Sequence, residues 1–205
     1  MIDISTEPQH VYEYLKSIGA PSIDFLYRDG NYDLLPVGKS SATSLEYGQW
    51  LGRLLDYYLA DPRPTPIRVL DELIKLILLT RNGFPHVVDE PGIVILDTDG
   101  SIKKNDILKS ALRRADAFQS DWSVFTHDLV DIAKSSEFLE YCNSQRPTAS
   151  TCRACTELDV CGGGIPAHRW SRTRGFENPT IFCADQKYLI NLVRQRLTEK
   201  KLLVA

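Results

Sequence analysis

Four cysteines near the end of the chain have the types and spacing of a metal centre. They follow the pattern C-x2-C-x5-C with a distant fourth member, and they are Cys152, Cys155, Cys161 and Cys183. Four thiolates are a complete ligand set for one iron–sulfur cluster or one tetrahedral zinc ion. The short spacing of the first three lets one loop wrap a metal, and the fourth ties a later segment to it. Glycines 162–164 directly follow the third cysteine, where they let the backbone bend tightly.

Composition favours metal binding over the other uses of cysteine. The chain has 205 residues and five cysteines, all of them late, and its N-terminus lacks the basic and apolar stretches of a signal peptide. We therefore expect a cytoplasmic protein, in which clustered cysteines bind metal more often than they form disulfides. A net charge of −3 gives no electrostatic case for nucleic acid. No apolar run reaches the roughly 18 residues that span a bilayer, so neither nucleic acid nor membrane is an expected partner.

The first 82 residues alternate predicted strands and helices. Short apolar segments predict strands at Ile2–Ser5 and Ile23–Tyr27. Apolar residues at helical spacing predict helices at Pro8–Ile18, Ser44–Ala60 and Leu70–Leu79. Because a strand and then a helix follow each other repeatedly, the pattern is typical of parallel βαβ units, and the predicted fold class is α/β.

Polar residues on and after the second predicted strand are candidates for substrate binding. They are Asp24, Asp29 and Asn31. In parallel α/β folds the loops that follow the strands line the catalytic mouth, which is the reason to consider these three. The alternative that the sequence leaves open is a solvated polar loop with one satisfied aspartate.

From residue 83 onwards the pattern changes to a hairpin and helices. Apolar segments at Gly92–Asp97 and Ser101–Lys103 flank a Thr-Asp-Gly turn, which predicts an antiparallel pair. Helices are predicted at Thr126–Lys134 and Glu137–Cys142, and a closing helix at Asp185–Leu197.

The cysteine-rich stretch resembles the SPASM domain, which is the C-terminal extension of radical SAM enzymes that modify peptides and proteins. The residues that carry the resemblance are CRACTELDVCGGGIPAHRW and GFENPTIFC. Earlier segments resemble, in order, the back half of maturases that act on ribosomally made peptides: IDFLYRDGNYDLLP, YGQWLGRLLDYYLADP, PIRVLDELIKLIL and ILDTDGSIKKNDILKSA. The resemblance implies that residues 1–82 are the C-terminal part of a partial parallel (βα) barrel. It implies that residues 83–205 form a small, cysteine-rich, metal-binding SPASM-like domain with a β-hairpin and helices.

The resemblance also implies one auxiliary 4Fe-4S cluster. SPASM domains often hold two clusters, and the four cysteines named above match the complete ligand set of the second. The three cysteines of the first are all absent, since the window 84–90 has none and the other two positions are Asn105 and Ile165. A cluster with four protein thiolates is coordinatively saturated, so it would act as an electron conduit or as a structural staple. Zinc remains the alternative occupant.

A further absence bears on catalysis. Radical SAM chemistry needs a C-x3-C-x2-C loop, and the chain has no cysteine before Cys142. The resemblance therefore implies that the chain alone does not cleave S-adenosylmethionine. This cofactor would enter only if a missing radical SAM barrel half, or a partner chain, completes the barrel around a peptide substrate.

Three hypotheses follow from the sequence. The first is the auxiliary-cluster portion of a radical SAM/SPASM enzyme that modifies ribosomally made peptides. The second is a non-catalytic module that binds a peptide or protein and is stapled by an iron–sulfur cluster or zinc. The third is an electron-transfer iron–sulfur protein. An incomplete parallel sheet would favour the first, because an exposed strand edge pairs readily with a partner.

Overall fold

The fold is a mixture of helices and a small sheet. It is known from a computed structural model that describes residues 1–82, 93–112 and 115–200. The α-helices are α1 (Pro8–Ser17), α2 (Glu46–Ala60), α3 (Arg68–Arg81), α4 (Leu129–Lys134), α5 (Ser136–Ser144), α6 (Ser150–Arg153), α7 (Leu158–Cys161) and α8 (Cys183–Glu199). The strands are β1 (Ile95–Leu96) and β2 (Ile102–Lys103), and 3-10 helices cover Asp106–Ser110 and Pro166–Arg169.

Helix α2 is the centre of the packing. Its apolar residues Trp50, Leu51, Leu54 and Leu55 recur at helical spacing, so they share one face, and all are buried. This face packs against α1 and α8. The long helices α1 to α3 lie within two residues of the predicted bounds at either end, because their apolar periodicity is strong.

A short parallel pairing links the segments on either side of α2. Ile23 and Ile67 form a parallel bridge, in which the Ile23 amide donates to the Pro66 carbonyl at 2.8 Å. The Arg68 amide donates to the Ile23 carbonyl at 2.9 Å. Two extended segments on either side of α2 are therefore paired in parallel. This pairing was not predicted, since no strand was expected at Ile67, and the predicted strand Ile23–Tyr27 is reduced to this one bridge.

The prediction of a strand at Ile2–Ser5 is wrong. The Ile2 amide donates to the Leu26 carbonyl at 2.8 Å, and the chain then enters a turn. The cause is the Asp3 carboxylate, which accepts from the Ser5 amide at 3.0 Å and from the Ser5 hydroxyl at 2.7 Å. Aspartate side chains that capture nearby backbone in this way compete with strand pairing.

The predicted hairpin is present and short. Strands β1 and β2 pair antiparallel, with Ile95 opposite Lys103 and Leu96 opposite Ile102. Gly100 has a φ of 80°, a conformation that side chains with a Cβ rarely adopt, and it closes the turn. Gly92, where the predicted first strand starts, lies outside the described residues.

Helix α4 begins later than predicted, and α5 extends further than predicted. The side chain of Asp128 accepts from the Val130 amide at 2.7 Å and so caps α4, which therefore starts at Leu129 and not at Thr126. In the same way the Ser135 hydroxyl accepts from the Phe138 amide at 3.1 Å and starts α5.

One hydrophobic cluster joins residues from both ends of the chain. We call it the shared core. It contains the buried faces of α1 to α3, Val160 of α7, Ile181 and Phe182 just before α8, and residues of α8 such as Leu189. A second, smaller cluster lies under the hairpin and α5. The closing helix therefore packs on the first 82 residues, while the division into domains at residues 82 and 83 remains a prediction.

None of the helices in the described part of the chain has both the length and the apolar character that crossing a bilayer requires.

Candidate metal centre

Two short helices and the start of the long helix α8 position the four cysteines. Cys152 lies in α6, and Cys155 follows just after this helix ends. Cys161 is the last residue of α7, and Cys183 is the first residue of α8. Each cysteine therefore lies in or beside a helix end, where a change of chain direction turns its thiol towards the same region.

All four cysteines line one pocket with a volume of about 50 Å³. Thr180, Glu157 and Lys187 are among the other residues around it. The structure thus brings the four predicted ligands together, which is what a shared metal centre needs. As the side chains stand, no group of three or more His, Cys, Asp or Glu residues within residues 1–82, 93–112 and 115–200 has the arrangement of a bound metal ion.

The glycine run after Cys161 shapes one wall of the pocket. Gly162, Gly163 and Gly164 all have positive φ, at 65°, 79° and 66°. A Cβ on Gly164 would lie 2.8 Å from the Cβ of Thr180, and a Cβ on Gly163 would collide with the ring of Pro147. Three successive left-handed residues favour glycine, and the last two are also too closely packed for a side chain, so the sequence prediction of a tight bend is confirmed here.

Hydrogen bonds reach two of the sulfur atoms. The Glu157 amide donates to the Cys155 sulfur at 3.4 Å, and the Cys161 thiol donates to the Gln186 side-chain oxygen at 2.9 Å. Burial raises the pKa of Cys161 to about 11, against a hydrogen bond from the Gly163 backbone that lowers it. Burial also raises the pKa of Cys152 and Cys183. In neutral solution these thiols are protonated, and a bound metal cation is the kind of group that displaces such protons.

Two cations act on the cysteines of the pocket. Lys187 lines it and lowers the pKa of Cys183, and the buried Arg169 lowers the pKa of Cys152, in both cases against the larger effect of burial. A tetrathiolate metal centre is negatively charged overall, so this surrounding charge suits it. Four thiols, backbone donors and flanking cations together fit an iron–sulfur cluster, and the thiols alone also fit zinc.

Asp24 is engaged in an ion pair. Its carboxylate accepts from the Phe25 amide at 2.9 Å and binds the guanidinium of Arg68, whose Nε donates at 2.9 Å. The side chain is partly exposed, and it is not among those that line the cysteine pocket.

Asn31 is buried and holds its own loop together. Its side-chain oxygen accepts from the amides of Asp33 and Leu34 at 2.9 and 3.0 Å, and its amide nitrogen donates to the Ser110 carbonyl at 3.4 Å. Asp29 is exposed, and its charge opposes the lowering of the His168 pKa that burial causes. The three substrate-binding candidates therefore differ in exposure, and Asp29 is the one that faces solvent most openly.

The sequence alone did not point to two cations, Lys187 in the pocket lining and Arg169 in the interior. Lys187 follows Cys183 by four residues on α8, a spacing that places two side chains on one helix face and could have revealed it. Arg169 had no comparable signal, because arginine is usually exposed and its burial depends on the packing of distant segments.

The fold is similar to that of anSMEcpe, a radical SAM/SPASM anaerobic sulfatase-maturating enzyme. Native anSMEcpe with bound AdoMet and Cp18Cys peptide matches with a TM-score of 0.65 and 19% identity, over 94% of this chain and 54% of that chain. Native anSMEcpe with bound AdoMet matches with 0.63 and 19% over the same shares. A histidine-tagged form of anSMEcpe with bound AdoMet matches with 0.63 and 17%, over 96% of this chain and 52% of that chain.

These matches show a shared fold, and the chain spans about half the length of the structures it resembles. No protein-family model matches the chain, and no curated protein matches its sequence.

Proposed function

We propose that this chain is the auxiliary-cluster portion of a radical SAM/SPASM enzyme that modifies ribosomally made peptides. In this proposal Cys152, Cys155, Cys161 and Cys183 bind one 4Fe-4S cluster. The observation that carries the proposal is that these four thiols line a single pocket, in a fold similar to that of a radical SAM/SPASM enzyme.

The cluster, when bound, would supply one-electron transfer close to the substrate, and it would tie α6, α7 and α8 together. The residues of this chain supply the ligands and stabilise the charge on them. Four thiolates fill the coordination positions, so no substrate atom is expected to bind iron. The Glu157 amide stabilises thiolate charge on Cys155, since a hydrogen bond to sulfur lowers the energy of the anion.

The proposal includes a peptide substrate. One of the similar structures was solved with a peptide bound, which supports a peptide as the substrate class here. Asp24, Asp29 and Asn31 are the proposed contacts. Their contributions would differ, because Asp29 is open to a cationic or amide group, whereas the buried Asn31 would shape the loop that carries it.

The proposal also includes a partner that completes the barrel. The 205-residue sequence contains no C-x3-C-x2-C motif, so the site that cleaves S-adenosylmethionine would come from a missing barrel half or a partner chain. Ile2 is not a free edge for this partner, because its amide donates to the Leu26 carbonyl, its carbonyl accepts from the Arg28 Nε, and the residue is buried.

The test is a metal count. Protein purified and reconstituted without oxygen should contain about four irons and four acid-labile sulfides per chain. The Cys183→Ala variant should hold clearly less iron and sulfide, because it lacks one of the four thiolates that anchor the cluster. Cys142→Ala is the matched control, since Cys142 does not line the pocket, and it should keep the wild-type iron content.

Zinc is the informative alternative result. About one zinc per chain and no sulfide after anaerobic reconstitution would contradict the redox role. It would instead support the metal-stapled module that binds a peptide or protein without catalysis.

A further inference from the structure

Arg169 is a cation in the interior of the protein. It ends the 3-10 helix Pro166–Arg169, and only 1% of the residue is exposed. Removing a guanidinium from water is strongly unfavourable unless a negative charge accompanies it. Burial accordingly lowers the pKa of Arg169, to about 10. A guanidinium that is this deeply buried needs an anionic partner to offset the loss of its hydration.

The protein atoms around Arg169 do not supply that charge. Its Nη2 donates to the carbonyls of Ser144 and Gln145, at 3.3 and 2.6 Å, and its buried Nε has no acceptor within residues 1–82, 93–112 and 115–200. Across the same ranges no carboxylate forms an ion pair with it. The two carbonyls end α5, and a helix C-terminus offers about half of an elementary charge.

The cysteine pocket lies next to the segments that hold Arg169. Pro147, two residues after the Gln145 carbonyl that Arg169 binds, lies against Gly163 of the pocket wall. The Ile181 amide, two residues before Cys183, donates to the carbonyl of His168 at 2.8 Å. In agreement with this placement, the charge of Arg169 acts to lower the pKa of the buried Cys152, against the larger effect of burial. A protonated thiol carries no charge, so Cys152 compensates Arg169 only when a metal holds it as a thiolate. The negative charge that Arg169 lacks is therefore the charge that a metal–thiolate centre would bring.

We propose that Arg169 is the counter-ion of the metal–thiolate centre and that it raises the reduction potential of the bound cluster. The inference rests on the proposed function. Reduction adds one electron to a centre that is already negative, and a nearby positive charge in a poorly screened interior favours the added electron.

A competing explanation is that Arg169 only ties down the end of α5 through its two carbonyl contacts. Three variants separate the explanations. Arg169→Gln removes the charge but retains donors, and Arg169→Lys keeps the charge with fewer donors. Arg172→Gln removes a charge three residues away, from a side chain that is 90% exposed, and is the matched control.

Iron and sulfide are counted first, and the reduction potential of the loaded proteins is then measured by an EPR-monitored redox titration. Arg169→Gln should shift the potential to more negative values. Arg169→Lys should keep most of the wild-type potential, and Arg172→Gln should leave it unchanged. An unchanged potential in cluster-loaded Arg169→Gln would overturn the proposal.

Two further outcomes are also decisive. If Arg169→Gln does not take up the cluster, urea unfolding compares the metal-free variant with the metal-free wild type. Equal or greater stability of the variant supports the counter-ion role. Lower stability shows that Arg169 only ties down the end of α5 and overturns the proposal. If the wild-type protein holds zinc, the proposed function fails, but the counter-ion proposal is still testable by competition with a zinc chelator. Arg169→Gln should then release zinc more readily, and equal affinity would overturn the inference.

Discussion

Three consecutive glycines determine how the chain leaves Cys161, and they differ in how much room they have. A Cβ on Gly162 would meet nothing within 4 Å, whereas one on Gly163 would collide with the ring of Pro147. Alanine in the left-handed region costs about 1–2 kcal/mol at either position. Overpacking adds roughly 1–3 kcal/mol at Gly163 alone.

Gly163→Ala should therefore destabilise the protein more than Gly162→Ala and should reduce its metal content. Urea unfolding of the metal-free proteins and iron per chain after reconstitution measure the two effects. Equal losses in both variants would show that Pro147 moves aside without cost.

His168 predicts a pH dependence of stability. The residue is buried and its Nε2 has no partner among the described residues, and burial lowers its pKa to about 4, with Asp29 acting in the opposite direction. The unfolded chain has a histidine pKa near 6.5 and so binds more protons between these two values. The contribution of the neutral, buried His168 to the free energy of unfolding is thus fully present above about pH 6.5 and is lost as the pH falls towards 4.

We expect His168→Phe to show a smaller fall in unfolding free energy between pH 6.5 and 4 than the wild type. Denaturant titrations at several pH values measure the slope. His127→Phe, at an exposed position, is the control and should keep the wild-type slope. A wild-type slope in His168→Phe would mean that other groups cause the acid sensitivity.

At the scale of elements, the sequence predicted helices better than strands. The periodicity of α2 is local information, so its bounds followed closely from the positions of Trp50 and Leu54. Strand formation depends on partners far away in the chain, and the sequence could not show that Ile2 and Ile23 each have so little pairing. The hydrogen bond from the Ser5 amide to the Asp3 carboxylate, which favours a turn over a strand, became evident only in the structure.

A buried ion pair joins the start of α8 to the loop that precedes α2. The Lys39 Nζ lies 2.5 Å from the Asp185 Oδ2, both side chains are fully buried, and the Gly48 amide donates to the Asp185 Oδ1 at 2.8 Å. Removing one member leaves an uncompensated charge inside the protein. Asp185→Ala should therefore destabilise the protein by about 3–5 kcal/mol.

The double variant Lys39→Met with Asp185→Leu should recover much of this loss, because it removes both charges and fills the space. Asp56→Ala breaks the exposed pair with Arg196 and should cost no more than about 1 kcal/mol. Urea unfolding compares the four proteins. A loss in Asp185→Ala as small as in Asp56→Ala would contradict the importance of the buried pair.

At the scale of the whole molecule, the four cysteines were predictable and their surroundings were not. Metal-ligand spacing is a local property of the sequence, so Cys152 to Cys161 could be proposed as ligands without a fold. The burial of Arg169 and the place of Phe182 in the shared core depend on how distant segments pack. Nothing in the sequence indicated that the Asn31 side chain would accept hydrogen bonds from backbone amides of its own loop.

The proposed need for a barrel-completing partner predicts a negative result with a clear readout. The 205-residue chain, reconstituted and reduced, should form no 5′-deoxyadenosine from S-adenosylmethionine, because it has no C-x3-C-x2-C motif. Chromatography of the reaction mixture measures this product. A complete radical SAM enzyme run in parallel shows that the assay works, and formation of 5′-deoxyadenosine by the chain alone would contradict the proposal.

The position of Cys183 as the first residue of α8 has one more consequence. The same helix carries a proposed metal ligand at its start and residues of the shared core along its length. If the proposed metal is bound, its binding at one end of α8 is coupled to the packing of this helix on α2, since a ligand that binds only the folded protein stabilises it. Stripping that metal with a chelator would then loosen the packing on α2, so that proteolysis would occur far from the thiols.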